Sequence, residues 1–179
     1  MMKTLITTAI IVLSCQPLVA ETGWISFGMG IGSEGLAGSV TSSTRIGSHG
    51  LVSLRGVITQ ELDNVNGDGW FSGESFFPGA NDLGLLVGWV KTDDYRTNAV
   101  SVSVGIGVAT ITRKGAWDEG GWFESSHWDK KETTTAGLLF HSQVYFNKFG
   151  FQAFADLNSE ASFGGFVISW RPFLFGAGR

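Results

Sequence analysis

From Val100 to Ala109 the chain reads VSVSVGIGVA, with Val100, Val102, Val104, Ile106 and Val108 apolar on one parity and Ser101, Ser103, Gly105, Gly107 and Ala109 small on the other. A strict period of two is the mark of a strand. A sheet with one face in water sets charged or long polar side chains opposite its apolar row, yet here the second row offers only hydroxyls, hydrogens and a methyl group. Small residues suit the inside of a narrow barrel, because eight strands leave an interior only wide enough for side chains to fill. With the apolar row facing lipid, the segment points to a membrane barrel.

The start of the chain agrees with export. Lys3 is followed by an apolar core from Leu5 to Leu13, then by Pro17 and the small-ended Leu18-Val19-Ala20. This pattern is a secretory signal peptide over residues 1–20, with the barrel domain over 21–179. The alternative is a lipoprotein box at Val12-Leu13-Ser14-Cys15, to which Leu13 is poorly suited. Cys15 is the only cysteine, so cleavage after Ala20 leaves no disulfide and no thiolate metal site. The mature chain carries 11 basic and 16 acidic side chains, a net charge of −5 with no basic run, which argues against nucleic acid as a partner. After the signal no apolar run is long enough for a membrane helix.

Eight alternating segments follow: Trp24–Gly32, Leu36–Ile46, Leu51–Leu62, Asp82–Lys91, Ala99–Thr112, Thr133–Phe146, Phe149–Asn158 and Ala161–Arg171. The second, LAGSVTSSTRI, alternates only in part and is required as a partner for the first. Short internal links at Gly47–Gly50, Thr92–Asn98 and Asn147-Lys148 alternate with external ones at Ser33–Gly35, Asp63–Asn81, Arg113–Glu132 and Ser159-Glu160. Both long links fall on one side, as in bacterial outer-membrane barrels. Two-residue turns at Asn147-Lys148 and Ser159-Glu160 pair Phe146 with Phe149 and Asn158 with Ala161, which keeps like beside like. Trp24, Trp89, Phe146, Phe149 and Trp170 then gather near the periplasmic ends, as an interfacial aromatic girdle does.

In this layout the sequence resembles the small eight-stranded outer-membrane barrels of Gram-negative bacteria, of the OmpX and OmpA-transmembrane-domain type. The resemblance spans the mature chain and rests on strand pattern, loop alternation and the aromatic-rich last strand GGFVISWRPFLF. It implies an all-β, antiparallel, up-and-down transmembrane barrel in the outer membrane, with lipid, lipopolysaccharide and the barrel assembly machinery as partners. Members usually end on an aromatic residue, whereas here Gly176-Ala177-Gly178-Arg179 follow Phe175.

Arg55, Glu61, His141, Gln143, Tyr145, Asp156 and Arg171 all take the lumen parity, where charge must be paired or hydrogen-bonded. His141 should lie across from Phe154 and diagonal to Asp156, within reach of an imidazole–carboxylate contact. That contact reads more simply as a structural plug than as a proton-transfer dyad, because no nucleophile stands beside it. Outer-membrane deacylases resembling PagL present His-x-Ser on one strand face, whereas His141 and Ser142 are adjacent and point to opposite faces. The grouping Ser125-Ser126-His127-Trp128-Asp129 has the residue types of a serine site but not the separation of a preorganised triad. Asn64, Asn66 and Asp68 resemble the start of a calcium loop; the twelfth position is Ser75, and an ordinary Asn/Asp/Gly turn explains the same residues. No cofactor is expected.

The long links carry Trp70, Phe71, Phe76 and Phe77 in residues 63–81, and Trp117, Trp122, Phe123 and Trp128 in residues 113–132. These rings either recognise a partner or close the barrel mouth. The reading that follows is a non-enzymatic outer-membrane barrel with a filled lumen, acting in envelope integrity or in surface interaction through its loops. The alternatives are a lipid-modifying hydrolase or acyltransferase, and a soluble periplasmic barrel that binds a small apolar ligand.

Overall fold

The computed structural model describes residues 22–33, 35–61, 79–93, 98–118 and 127–175. Among these the chain forms eight strands: β1 (Thr22–Gly32), β2 (Gly35–Ile46), β3 (Gly50–Gln60), β4 (Gly79–Thr92), β5 (Asn98–Asp118), β6 (His127–Phe146), β7 (Phe149–Asn158) and β8 (Phe163–Phe175). Each strand pairs antiparallel with its chain neighbours, and β8 pairs antiparallel with β1 to close the barrel. Closure removes the open edges that an eight-stranded sheet would otherwise expose. No helix among the described residues is long and apolar enough to cross a membrane.

The opening segment forms the middle of β5. Its outward row is about half exposed, from Val104 at 46% to Ile106 at 69%, while Ser101 and Ala109 are buried inside. The same alternation runs around the wall, where Met29, Ile31, Leu85, Leu138, Phe151, Phe166 and Ile168 are all exposed. An apolar outer surface over a polar interior inverts the usual globular arrangement.

Register follows from keeping faces together. The predicted β6–β7 turn is matched, with Phe146 opposite Phe149; between β7 and β8 the expected register holds from Phe149–Trp170 to Asp156–Phe163, but the ladder stops there and Asn158 and Ala161 do not form the expected strand pair. Asn147 takes φ 57°, the left-handed conformation that Asn tolerates in a tight hairpin. Two links are one residue shorter than expected. Gly32 pairs with Gly35, and Ile46 pairs with Gly50. The longer links would have set outward Ile31 against inward Ala37 and outward Ile46 against inward Leu51; the shorter ones keep both pairs of faces matched. Gly47, at φ 61°, allows the tighter β2–β3 turn. The β1–β8 register shifts between Ile25 and Phe27, beside Pro172, which has no backbone N–H to give to the ladder.

Several strand ends differ from the sequence reading. β3 stops at Gln60, so Glu61 lies beyond the rim and is exposed, outside the lumen set in which its parity had placed it. β8 starts at Phe163 because Asn158 caps the preceding turn, its Oδ1 accepting from the backbone N–H of Glu160 (3.0 Å) and of Ala161 (2.8 Å). β5 and β6 run on as a ribbon past the last β4–β5 pair, Gly79–Thr112, and past the last β6–β7 pair, Gly137–Asn158. Much of the expected 113–132 loop is therefore strand, and Trp117 pairs with Trp128 within it.

Inside, side chains fall into three layers. Trp24, Leu51, Val90, Ala99 and Tyr145 form an apolar layer at the end that carries the short turns. Ala37, Val57, Ala80, Ala109, Ile111, Phe154, Phe163 and Val167 form another toward the long connections. Polar side chains occupy the level between.

Candidate functional site

The middle layer is built from side chains of β1, β2, β3, β4, β6, β7 and β8 that alternation turns inward. Arg55 of β3 reaches across the lumen. Its Nη2 donates to Asp82 Oδ2 of β4 at 2.6 Å, and its Nη1 donates to the backbone oxygen of Phe140 on β6 at 2.9 Å. Both partners of the ion pair have 0% side-chain exposure, and the guanidinium lies 5.7 Å from the centre of the Phe154 ring. A buried pair of this kind offsets its desolvation through direct contact and further hydrogen bonds; Arg55 has a second acceptor in Phe140, while Arg55 Nε and Asp82 Oδ1 are buried without a hydrogen-bond partner among the described residues.

A second cluster surrounds His141. The Gln143 side-chain amide donates to His141 Nδ1 at 3.2 Å, which leaves the ring hydrogen on Nε2 to meet Gln152 Oε1, also at 3.2 Å. Gln152 Nε2 donates to Tyr145 Oη at 2.6 Å and to Ser26 Oγ at 3.0 Å. Trp24 Nε1 donates to Gln143 Oε1 at 3.4 Å. Arg171 covers the Tyr145 ring at 4.7 Å and the Trp24 ring at 5.7 Å, and its Nη2 donates to the Asn147 backbone oxygen at 2.7 Å. With Ser39 Oγ donating to Gln152 Oε1 at 3.3 Å, the network joins five strands, β1, β2, β6, β7 and β8, and ends at the short-turn rim.

Six of the seven expected lumen residues, Arg55, His141, Gln143, Tyr145, Asp156 and Arg171, are buried; Glu61 is the exception. The expected His141–Asp156 contact is not made. His141 does lie opposite Phe154, but its ring bonds to Gln152, the diagonal neighbour on the other side, and Asp156 Oδ1 accepts from Asn158 at 3.2 Å. A neutral imidazole is satisfied by two amides at lower desolvation cost than by a carboxylate. Asp82 and Gln152 were missed as site residues. The available signal was parity, since Asp82 shares its face with Gly84 and Gly88, and Gln152 shares its face with Phe154 and Asp156. Trp24, expected in the outer girdle, is inside and only 1% exposed. Its parity with Ser26 already required this, and its N–H finds a partner there. The other four girdle residues, Trp89, Phe146, Phe149 and Trp170, are exposed on the outer wall, and His49 stacks on Trp89 at 5.9 Å and 3°.

The small face of β5 has a defined use. A Cβ on Gly107 would meet Leu139 Cδ1 at 2.7 Å, and one on Gly84 would meet the same methyl group. Gly84, Gly107 and Gly137 are consecutive partners across β4, β5 and β6. Together with Leu139, Arg55 and Asp156, this row of glycines fills the lumen at that level.

The imidazole of His141 is held by two amides, and Ser142 stands on the opposite side of β6. Chemically this arrangement can seal and rigidify the lumen. Trp70, Phe71, Phe76, Phe77, Trp122 and Phe123, the calcium candidates Asn64, Asn66 and Asp68, Ser125 and Ser126, the signal segment 1–20 with Cys15, and the 176–179 tail lie outside the described residues.

An eight-stranded antiparallel up-and-down barrel with an apolar wall and a side-chain-filled interior is the architecture of the small outer-membrane-type β-barrels. Among solved structures, the chain is similar to the N-terminal β-barrel domain of Pseudomonas aeruginosa OprF, with a TM-score of 0.52 and 11% identity over 87% of this chain and 98% of that one. The likeness is one of fold. No family model and no curated protein matches the sequence.

Proposed function

We propose that the protein is a non-enzymatic outer-membrane barrel that contributes to envelope integrity or to surface interaction through the connections at its long-loop end. The observation that carries this reading is the filled lumen, with Arg55, Asp82 and Asp156 buried at mid-height between two apolar layers. A diffusion channel needs a continuous polar path, and a lipid-modifying enzyme needs a nucleophile or base open to the membrane. The barrel's strength lies in a closed ladder and an internal network, so variation is accommodated in the loops. Lipid, lipopolysaccharide and the assembly machinery are the partners this reading calls for.

Expression of the full chain in a Gram-negative host tests it. The protein should fractionate with detergent-extracted outer membranes and migrate differently in SDS gels before and after boiling, and lipid A and phospholipid acyl profiles should be unchanged. Release by osmotic shock would overturn the membrane reading, and altered acyl chains would overturn the non-enzymatic one.

A further inference from the structure

We propose that the outward corner of the short-turn rim, formed by Trp89 and Lys91 of β4 and His49 of the β2–β3 turn, binds the anionic headgroup of a phospholipid in the periplasm-facing leaflet. This inference rests on the outer-membrane reading above. Outward parity on β4 runs through Leu83, Leu85, Val87, Trp89 and Lys91, so the apolar wall ends on a ring and the next outward side chain is a cation. Lys91 is exposed, and among the described residues it has no ion-pair partner. His49 is exposed as well and lies flat on the Trp89 ring, 5.9 Å away and 3° from parallel. An indole at the membrane–water boundary with an ammonium just beyond it stands at the level of the lipid phosphates.

Hydrogen bonds hold this corner in place. The Val90 backbone N–H donates to the His49 carbonyl at 2.9 Å. Arg45 Nε donates to the Gly47 carbonyl at 2.9 Å, and its Nη1 donates to Thr92 Oγ1 at 3.4 Å. These bonds fasten the β2–β3 turn to the end of β4, while Gly50, opposite Trp89, puts no side chain between the imidazole and the indole. The local charge is positive although the mature chain is acidic: among the described residues this end carries Arg45, Lys91, Lys148 and Arg171 against Asp93. The Asp93 carboxylate accepts from the Asn98 backbone N–H at 3.1 Å and from its Nδ2 at 2.9 Å, which turns it to its own loop. An excess of positive charge at a membrane boundary attracts an anionic headgroup, and phosphate accepts from ammonium and imidazole donors alike.

The wall beside the corner suits the rest of such a lipid. Val100 stands opposite Lys91 and Val102 opposite Trp89, with Val144 and Ser142 beyond them on β6. Their short side chains form a trough with Trp89 as one lip and Phe151, opposite Val144, as the other. Val100, Val102 and Phe151 are exposed on the outer wall, so acyl chains can rest there while the headgroup meets Lys91 and His49. A free phosphate would use the cations and gain nothing from the trough.

The test uses the full mature chain in phosphatidylcholine nanodiscs doped with phosphatidylglycerol, with retained lipid read by native mass spectrometry. The wild type should retain phosphatidylglycerol over phosphatidylcholine by roughly fivefold or more, the effect of one basic side chain near an anionic surface. H49Q/K91Q should lose that preference, K91R should keep it, and R113Q/K131Q, which neutralises exposed cations at the other end, should leave it intact. Heat-shifted gel mobility establishes that each variant is folded. Equal retention by the wild type and H49Q/K91Q overturns the proposal. So does a loss in K148Q, on a different turn of the same rim, as large as that in H49Q/K91Q, because diffuse rim charge would then suffice. Inorganic phosphate at the lipid's concentration should not compete; equal competition overturns the lipid as occupant. Failure of the chain to insert into the nanodisc at all would instead defeat the outer-membrane reading.

Discussion

The Arg55–Asp82 pair shows how much a single lumen position carries. Both side chains are fully enclosed, so Asp82→Asn would leave a buried guanidinium without its counter-charge, at a cost of about 3–5 kcal/mol. Replacing both partners with apolar residues, as in R55M/D82L, should bring stability back close to wild type, because the desolvation of two charges is relieved together. Urea unfolding of the refolded barrel in lipid vesicles reads both outcomes. A double variant as unstable as the single would show that the pair does more than satisfy itself. Gly107 is the steric counterpart. Gly107→Ala drives a methyl group into Leu139 Cδ1 and toward the neighbouring backbone, which should cost about 1–3 kcal/mol. Adding Leu139→Ala should recover part of that loss; no recovery would place the strain in the backbone alone. At Asn147, whose φ is 57°, Asn147→Gly should be nearly neutral, while Asn147→Val should cost on the order of 1–3 kcal/mol.

Strand length separates the barrel from its extension at the next scale. β5 has 21 residues and β6 has 20, while β7 has 10. Among the described residues the part of the ribbon beyond Thr112 and Glu132 pairs only with itself, so it adds little to the cooperative unit of the barrel. Replacing residues 114–130 by Asn-Gly should leave the urea midpoint and the heat-dependent gel shift almost unchanged, within about 1 kcal/mol. A large loss of stability would mean that the ribbon braces the mouth. The partial alternation of LAGSVTSSTRI had marked β2 as the weakest strand, yet it pairs along its full length with both neighbours. Its inward residues, Ala37, Ser39, Thr41 and Ser43, are buried. Small polar side chains there face the larger residues of other strands, so their weak hydropathy contrast reflects a lumen lining.

For the whole molecule, the three internal layers predict a closed barrel. In planar bilayers the wild type should give no sustained conductance, since eight strands enclose a lumen that side chains can fill. A steady open current would contradict the packing described. The distribution of aromatics fits the same picture: Trp89, Phe146, Phe149 and Trp170 face outward near the short-turn end, where amphipathic rings settle at a membrane–water boundary.

Period-two alternation alone specified eight strands, their inward and outward faces and the β6–β7 and β7–β8 registers, because each of these is local or follows from a two-residue turn. It placed Trp24 and Asp82 on the lumen side as well, although neither was read as a lumen residue. What alternation could not choose was partners. Whether His141 meets Asp156 or Gln152 depends on how tilted strands bring diagonal neighbours together and on which groups compete for them. Whether Glu61 is inside depends on where β3 stops. The meeting of Arg113-Lys114 with Lys130-Lys131 depends on a ladder that extends beyond the predicted strand ends. These are long-range consequences of register and closure, and they were decided when the wall of small residues first singled out in β5 was packed against the other seven strands.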